Sequence, residues 1–342
     1  MTENKQVTIK DIAKRAGVAV STVSRVLNKL DRVSPKTRDK VLQAVHELGY
    51  VQNNFAVFMV TGHAKLILIV VPDFINSFFG AVIQGAERRL RADGYSVMVT
   101  STGDYEDTDI ASILQKMEYA VDGAIVIPTG DCAEQYAQFQ RPLVFVDRSV
   151  SNTNCDTVCV DNFRGSYELT DELISAGHRK IAYIGGGDRL NVGRDRYAGF
   201  LAAMRKHDVP VCDRYVRKGD LYVTDGYHHM LELLRQPDPP TAVICGNNLI
   251  CSGAVAAIRE QNLEIGRDIS LVSFDNQPLA YLATPGITVI DRPTTEMGEL
   301  AAGLLLERLR SGRSAERRDI VMPVHLIRRD SVCRISAANS AG

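Results

Sequence analysis

Between Val7 and Tyr50 the apolar positions of the chain recur every three or four residues. Ile9, Ile12 and Ala13 share one face of a first predicted helix, opened by Thr8, whose hydroxyl suits a cap, and closed by Gly17. Val23, Val26 and Leu27 face inward on a second, which leaves Ser21, Thr22, Ser24 and Arg25 outside. The third starts at Ser34-Pro35, a cap followed by proline at the first helical position, and carries Val41, Leu42, Val45 and Leu48 to Gly49. Three short helices at this spacing predict a helix-turn-helix module. From Lys65 onward the pattern changes. Short β-branched runs predict strands at 66–71, 95–101, 123–127, 142–147, 157–161, 180–186, 241–246, 270–275 and 287–291, with helical stretches between them. That alternation predicts parallel sheets with crossover helices, and it is too long for one compact sheet, so the α/β body is expected to divide into two lobes near residue 160.

Composition agrees with a small module on a large body. At 342 residues and 45% apolar content the chain can bury a sizeable core. No apolar run approaches the roughly 18 residues of a spanning helix, and no charged start leads into an apolar stretch, so a cytoplasmic location is expected. Residues 1–61 carry a net charge of +5 and the remainder −6, which suggests one polyanion-binding end. The seven cysteines, at 132, 155, 159, 212, 245, 251 and 333, form no CxxC pair and read as reduced and structural. No metal-ligand spacing, catalytic constellation or cofactor motif stands out, so no enzymatic activity, metal or cofactor is expected.

In parallel sheets, ligands bind beyond the carboxyl ends of the strands. Those ends place Asp147-Arg148, Asn247-Asn248, Asp275-Asn276 and Asp291-Arg292 at a cleft, joined by Asn76, Ser77 and Phe78 from the first loop. Gly185-Gly186-Gly187-Asp188 also follows a strand but fits neither GxGxxG nor a lysine-bearing phosphate loop, and is read as a tight turn at the cleft.

The head resembles a known family closely. Val7-Thr8-Ile9-Lys10-Asp11-Ile12-Ala13, Ala16-Gly17-Val18, Thr22-Val23-Ser24-Arg25-Val26-Leu27-Asn28, Val33-Ser34, Thr37-Arg38 and Leu48-Gly49-Tyr50 are similar to the DNA-binding head of the LacI/GalR family of bacterial transcription regulators. The resemblance implies that the second helix enters a major groove. Val20 would meet a thymine methyl, Ser21 a base edge, and Arg25 a guanine or a phosphate. Thr8, Thr22, Ser24, Asn28 and Thr37 would hold phosphates. It also implies a hinge helix within 51–63, where Asn53, Ala56 and Met59 contact a minor groove and Met59 replaces the leucine that usually wedges between base pairs. Gln52 stands where the family usually has proline, and the usual hinge arginine is missing.

The body resembles the same family's periplasmic-binding-protein-like domain at Gly177-His178-Arg179-Lys180-Ile181-Ala182, at Asp195-Arg196-Tyr197-Ala198-Gly199-Phe200, at Pro240-Thr241-Ala242-Val243 and across Asp268 to Asp275. This implies a head at 1–50, a hinge at 51–63, an N-terminal lobe of 64–161 and 291–320, a C-terminal lobe of 162–290 and 321–333, and a tail at 334–342. Asp147, Arg196, Asn247 and Asp275 match the family's effector contacts, and Arg292 occupies a position often held by glutamine. With Arg148 and Arg196 it is expected to bring three guanidinium groups to one cleft, a surplus of positive charge over the two aspartates that favours a sugar acid over a neutral sugar. The implied function is a homodimeric repressor of carbohydrate catabolism genes, released from a palindromic DNA operator by a sugar or sugar acid of gluconate or ketogluconate type. The alternative is a regulator activated by a purine-like or other corepressor, although Leu221 stands where relatives carry an aromatic residue. The helix at 79–92, with Val82, Ile83 and Ala86 beside Arg88 and Arg89, is expected at the subunit interface.

Overall fold

The computed structural model describes residues 7–27, 33–50, 64–103, 110–311 and 316–335, and the chain divides into two units, Met1–Ala64 and Lys65–Gly342. The first holds three helices, α1 (Ile9–Ala16), α2 (Val20–Leu27) and α3 (Pro35–Glu47). The apolar faces read from the sequence close on one another: Ile12, Ala13, Val23, Val26, Val41 and Ala44 form one buried cluster. Leu42, counted on the inner face of α3, is instead exposed. Gly17 ends α1 at φ +67°, a left-handed turn in which only glycine avoids a Cβ penalty. Arg15 pairs with Glu47 and ties α1 to α3.

The second unit contains two six-stranded sheets with helices on both faces. Its strands are β1 (Leu66–Val71), β2 (Ser96–Ser101), β3 (Gly123–Val126), β4 (Leu143–Val146), β5 (Asp156–Val160), β6 (Ile181–Gly186), β7 (Val216–Gly219), β8 (Ala242–Cys245), β9 (Ser270–Phe274), β10 (Thr288–Asp291), β11 (Asp319–Met322) and β12 (His325–Ile327). The longer helices are α4 (Ser77–Ala92), α5 (Ile110–Met117), α7 (Asn162–Ser175), α8 (Asn191–Lys206), α9 (Val223–Leu234), α10 (Asn248–Glu260) and α12 (Thr294–Ser311), with short α6 (Glu134–Ala137) and α11 (Pro278–Leu282) between them. Strand order is β11-β5-β4-β3-β1-β2 in one sheet and β12-β10-β9-β8-β6-β7 in the other, so the two lobes repeat one doubly wound plan. Every pairing is parallel except that of β12 with β10. The exception has a simple cause. Only Pro323 and Val324 separate β11 from β12, so the chain leaves one sheet at its carboxyl edge, enters the other at the same edge and must run the opposite way.

The chain passes between lobes after β5, after β10 and after β11. The expected boundaries therefore shift slightly: Asp291 belongs to β10 of the C-terminal lobe, and Val321 and Met322 belong to β11 of the N-terminal lobe. Of the helix expected at the subunit interface, two of the named apolar residues turn inward, while Arg88 remains exposed. Val82 and Ala86 of α4 are fully buried, because α4 packs backbone to backbone on α12 and a Cβ at Gly85 or Gly298 would strike a carbonyl of the other helix. The periodicity had shown a face; its partner lay about 200 residues further on.

Asp156, fully buried at the start of β5, fixes the returning segments to the first lobe. It accepts hydrogen bonds from Arg308 Nε at 3.0 Å and Nη2 at 2.5 Å, from the Arg318 backbone N–H at 2.9 Å, and from Arg318 Nη2 at 2.7 Å. Burial pushes its carboxyl up, but these donors outweigh burial and hold it at about 2. Because the folded value lies below the roughly 3.9 of a free aspartate, the stabilisation is present above that value and is lost as pH falls from about 4 toward 2. Asp156→Asn is expected to destabilise the body by about 3 kcal/mol, the low end for a broken buried pair because Arg318 reaches solvent, and to flatten the acid limb of a urea-unfolding series.

Candidate functional site

In the head, the outward face of α2 presents Val20, Ser21 and Arg25 to solvent, with Thr22 and Ser24 half-buried beside them. The Thr8 hydroxyl donates to Asp11 Oδ2 at 2.6 Å while the Thr8 N–H donates to the same oxygen at 2.9 Å, so this side chain starts α1. The Thr37 hydroxyl shares a 2.9 Å hydrogen bond with that of Ser34, and the Thr37 N–H donates to Ser34 Oγ, which starts α3. Capping thus engages Thr8 and Thr37, two of the three threonines assigned to phosphates. Asn28 and the hinge residues Asn53, Ala56 and Met59 lie outside the described residues.

In the body, the carboxyl ends of the strands face each other across a closed cleft. Asp147 follows β4 and Asp275 follows β9, equivalent positions of the two sheets, and both take left-handed backbone at φ +67° and +77°. Arg292, just past β10, lies between them. Its Nη1 donates to Asp147 Oδ1 at 2.6 Å, its Nε donates to Asp275 Oδ1 at 2.6 Å, and its Nη2 lies 2.5 Å from the same Asp275 oxygen. The guanidinium also covers the Phe78 ring at 3.8 Å. Burial lowers the Arg292 guanidinium, but Asp275 and Asp147 outweigh it and hold it above its ordinary value. Ser77 Oγ donates to Gln277 Oε1 at 2.6 Å and Asn248 Nδ2 to Asn76 Oδ1 at 3.1 Å, two further links between lobes.

The expectation of three guanidinium groups offered to a ligand is therefore corrected. Arg292 is spent on the two aspartates. Arg196 donates from Nε to Asn162 Oδ1 at 2.8 Å and from Nη1 to the Gly246 carbonyl at 2.5 Å, and lies 3.9 Å over the Phe274 ring. Burial, then the neighbouring Arg292 charge, lowers it to about 10, so it stays cationic at neutral pH. Asn247 accepts from the Ile250 N–H at 2.8 Å, capping α10, and donates to the Leu221 carbonyl at 3.1 Å. Arg148 differs. It donates from Nη1 to the Pro128 carbonyl at 2.9 Å, but its Nε, 3.7 Å from Asp147 Oδ2, has no hydrogen-bond partner among the described residues.

A cavity of about 260 Å³ opens beside this cluster, between Arg148, the turn after β6 (Gly186–Leu190), the first turn of α8 and the loop after β7 (Gly219–Tyr222). Of the eight residues assigned to the effector, only Arg148 lines it. The triglycine turn, expected at the cleft, does form one wall, and Leu221 another; β7, with the sequence Val216-Arg217-Lys218-Gly219, carries no apolar run, so the strand leading to the second wall was not expected. A Cβ at Gly193 would meet the carbonyls of Gly186 and Gly187, so α8 starts directly on the triglycine turn.

A helix-turn-helix head and a body of two doubly wound lobes with a cavity lined by both apolar and charged residues define a ligand-responsive DNA-binding regulator. Comparison with known proteins agrees. Residues 8–53 match the family described as bacterial regulatory proteins, lacI family, and residues 170–332 match a periplasmic binding protein-like domain. The HTH-type transcriptional repressor PurR of Escherichia coli is 33% identical over 332 residues, 95% of this chain and 96% of the relative. The crystal structure of the lac repressor dimer bound to operator and the anti-inducer ONPF is similar with a TM-score of 0.85 at 27% identity, covering 96% of this chain and all of that one. The complex of the transcriptional regulator CelR with cellobiose gives a TM-score of 0.72 at 28% identity, over 95% of this chain and all of that one. The chain belongs to the lacI family of bacterial transcription regulators.

Arg292→Gln is expected to lower the stability of the body by about 3–5 kcal/mol in urea unfolding, because it leaves Asp147 and Asp275 buried without their cation. An unchanged midpoint would mean that the bridge carries none of the closure.

Proposed function

We propose that this regulator is a repressor of carbohydrate catabolism genes, bound as a homodimer to an imperfect palindrome and released by a sugar or sugar-acid inducer of gluconate or ketogluconate type. The observation that carries the ligand reading is the cavity beside the charged cluster. At about 260 Å³ it falls below the roughly 300–1,000 Å³ of sites for drug-sized ligands, which suits a monosaccharide. The two phenylalanine rings of the cleft, Phe78 and Phe274, are each covered by a guanidinium, and the cavity wall carries Leu221 beside one aromatic residue, Tyr222, so a flat base would find one ring there and no second ring to complete a sandwich. CelR, a structural relative, is solved with cellobiose. Exposed Phe74 and Ile75 in one lobe and Tyr281 and Leu282 in the other offer apolar surface for a second subunit. Nothing in the proposal calls for a membrane: among the described residues no helix is long and apolar enough to cross one.

The test couples two measurements on the full chain. Thermal shift against neutral sugars, sugar acids, sugar phosphates and purines is expected to single out a sugar acid, since a ligand at 100 times its dissociation constant adds about 2.7 kcal/mol. Fluorescence anisotropy with operator DNA is then expected to show that the same ligand weakens binding. A purine that stabilises the protein and tightens DNA binding would replace this reading with a corepressor one. In the same assay Arg25→Ala is expected to weaken operator binding by about 1–3 kcal/mol, with unchanged helicity by circular dichroism.

A further inference from the structure

The five buried charges at the cleft do not balance. Arg148, Arg196 and Arg292 supply three cations against Asp147 and Asp275, and each of the five is at most 6% exposed. The next carboxylate along α8, Asp195, lines a different cavity. A buried surplus charge is costly unless it is paired, and the arginine with an unused donor is Arg148, whose Nε finds no hydrogen-bond partner among the described residues while the side chain lines the 260 Å³ cavity.

A second feature of the same wall points to the same ligand chemistry. The 16-residue helix α8 opens into the cavity through Leu190, Val192 and Gly193, and no side chain caps its first turn. The residue best placed to do so, Asn191, instead accepts from the Ser149 N–H of the other lobe at 3.3 Å. An uncapped helix start carries partial positive charge toward whatever occupies the cavity. Of the two carboxylates on the cavity wall, Asp188 pairs with Lys218 at 3.0 Å and Asp220 is exposed at the mouth, with Arg189 also exposed.

We propose that Arg148 is the residue that selects an anionic effector: its guanidinium and the first turn of α8 receive the anionic group of a sugar acid, while Arg292 and Arg196 stay committed to the protein. The inference rests on the preceding reading of this cavity as the effector site. It assigns the charge discrimination to one arginine that follows Asp147, where the sequence had spread it over three.

Isothermal titration of the full chain with gluconate, glucose 6-phosphate and the neutral glucitol tests it, in the wild type and in Arg148→Gln, Arg148→Lys and Arg292→Gln. The expected result is that one of the two anions binds about tenfold to a hundredfold more tightly than glucitol, the worth of one charged hydrogen bond, and the ligand that binds tells carboxylate from phosphate. Arg148→Gln removes the preference and Arg148→Lys keeps part of it. The melting temperature without ligand is expected not to fall in Arg148→Gln, since the surplus cation is gone, whereas it falls in Arg292→Gln. If Arg148→Gln still prefers the anion, or the wild type binds glucitol as well as either anion, the assignment to Arg148 is wrong and the cavity reading survives. If none of the three probes binds, Arg148 loses its role, and a purine that binds in the thermal-shift panel would show that the sugar reading has failed with it.

Discussion

Closing two lobes whose equivalent strands each end in an aspartate brings like charges together, and one side chain makes that arrangement tenable. Arg292 accepts both carboxylates on one guanidinium and covers Phe78 with its plane. Opposite charges at such distances inside protein attract far more strongly than in water, but only because each removed charge has found its partner. The Asn76–Asn248, Ser77–Gln277 and Ser149–Asn191 contacts close around this bridge. They are neutral hydrogen bonds and would not by themselves offset two unpaired buried carboxylates. Because the bridge consumes Arg292, the charge left over at the cleft belongs to its neighbour Arg148.

Much of the fold was legible because parallel strands covered on both faces are written as unbroken apolar runs. Leu66-Ile67-Leu68-Ile69-Val70-Val71 became β1 with every residue after Leu66 buried. The strands that the apolar pattern did not show, β7, β11 and β12, all lie at sheet edges and include charged or polar residues: Arg217 and Lys218, Asp319, His325. Their signal is weak because no residue of these three strands is fully buried. Missing β7 had a consequence for function, since the loop after it walls the cavity.

At the cleft, sequence located the strand-end side chains but not their partners. The rule that parallel sheets bind ligands at carboxyl ends selected Asp147, Arg148, Asn247, Asp275 and Arg292. It is silent on whether a charged group there faces a ligand or another strand end, because that depends on pairing between segments 145 residues apart. In the head, Thr8 and Thr37 show the same limit, since a hydroxyl at a helix start serves a cap as readily as a phosphate.

The bridge also lies on a mechanical loop. Arg292 precedes α12 by two residues; α12 packs backbone to backbone on α4, and the second residue of α4 is Phe78, the ring beneath Arg292. With so little space between the helices, α4 and α12 are closely packed, and the pair carries Phe78 at one element and follows Arg292 at the other. Arg148 joins this loop to the cavity through its 3.7 Å approach to Asp147. On the proposed assignment, an anion in the cavity would compete with Asp147 for Arg148. A neutral sugar would make no such demand on Arg148 and would leave the charge balance at the Arg292 bridge as it is. A ligand shifts a conformational equilibrium only by the difference in its free energy of binding to the two states. On the proposed assignment, the contact open to an anion and closed to a neutral molecule would be the one made by Arg148.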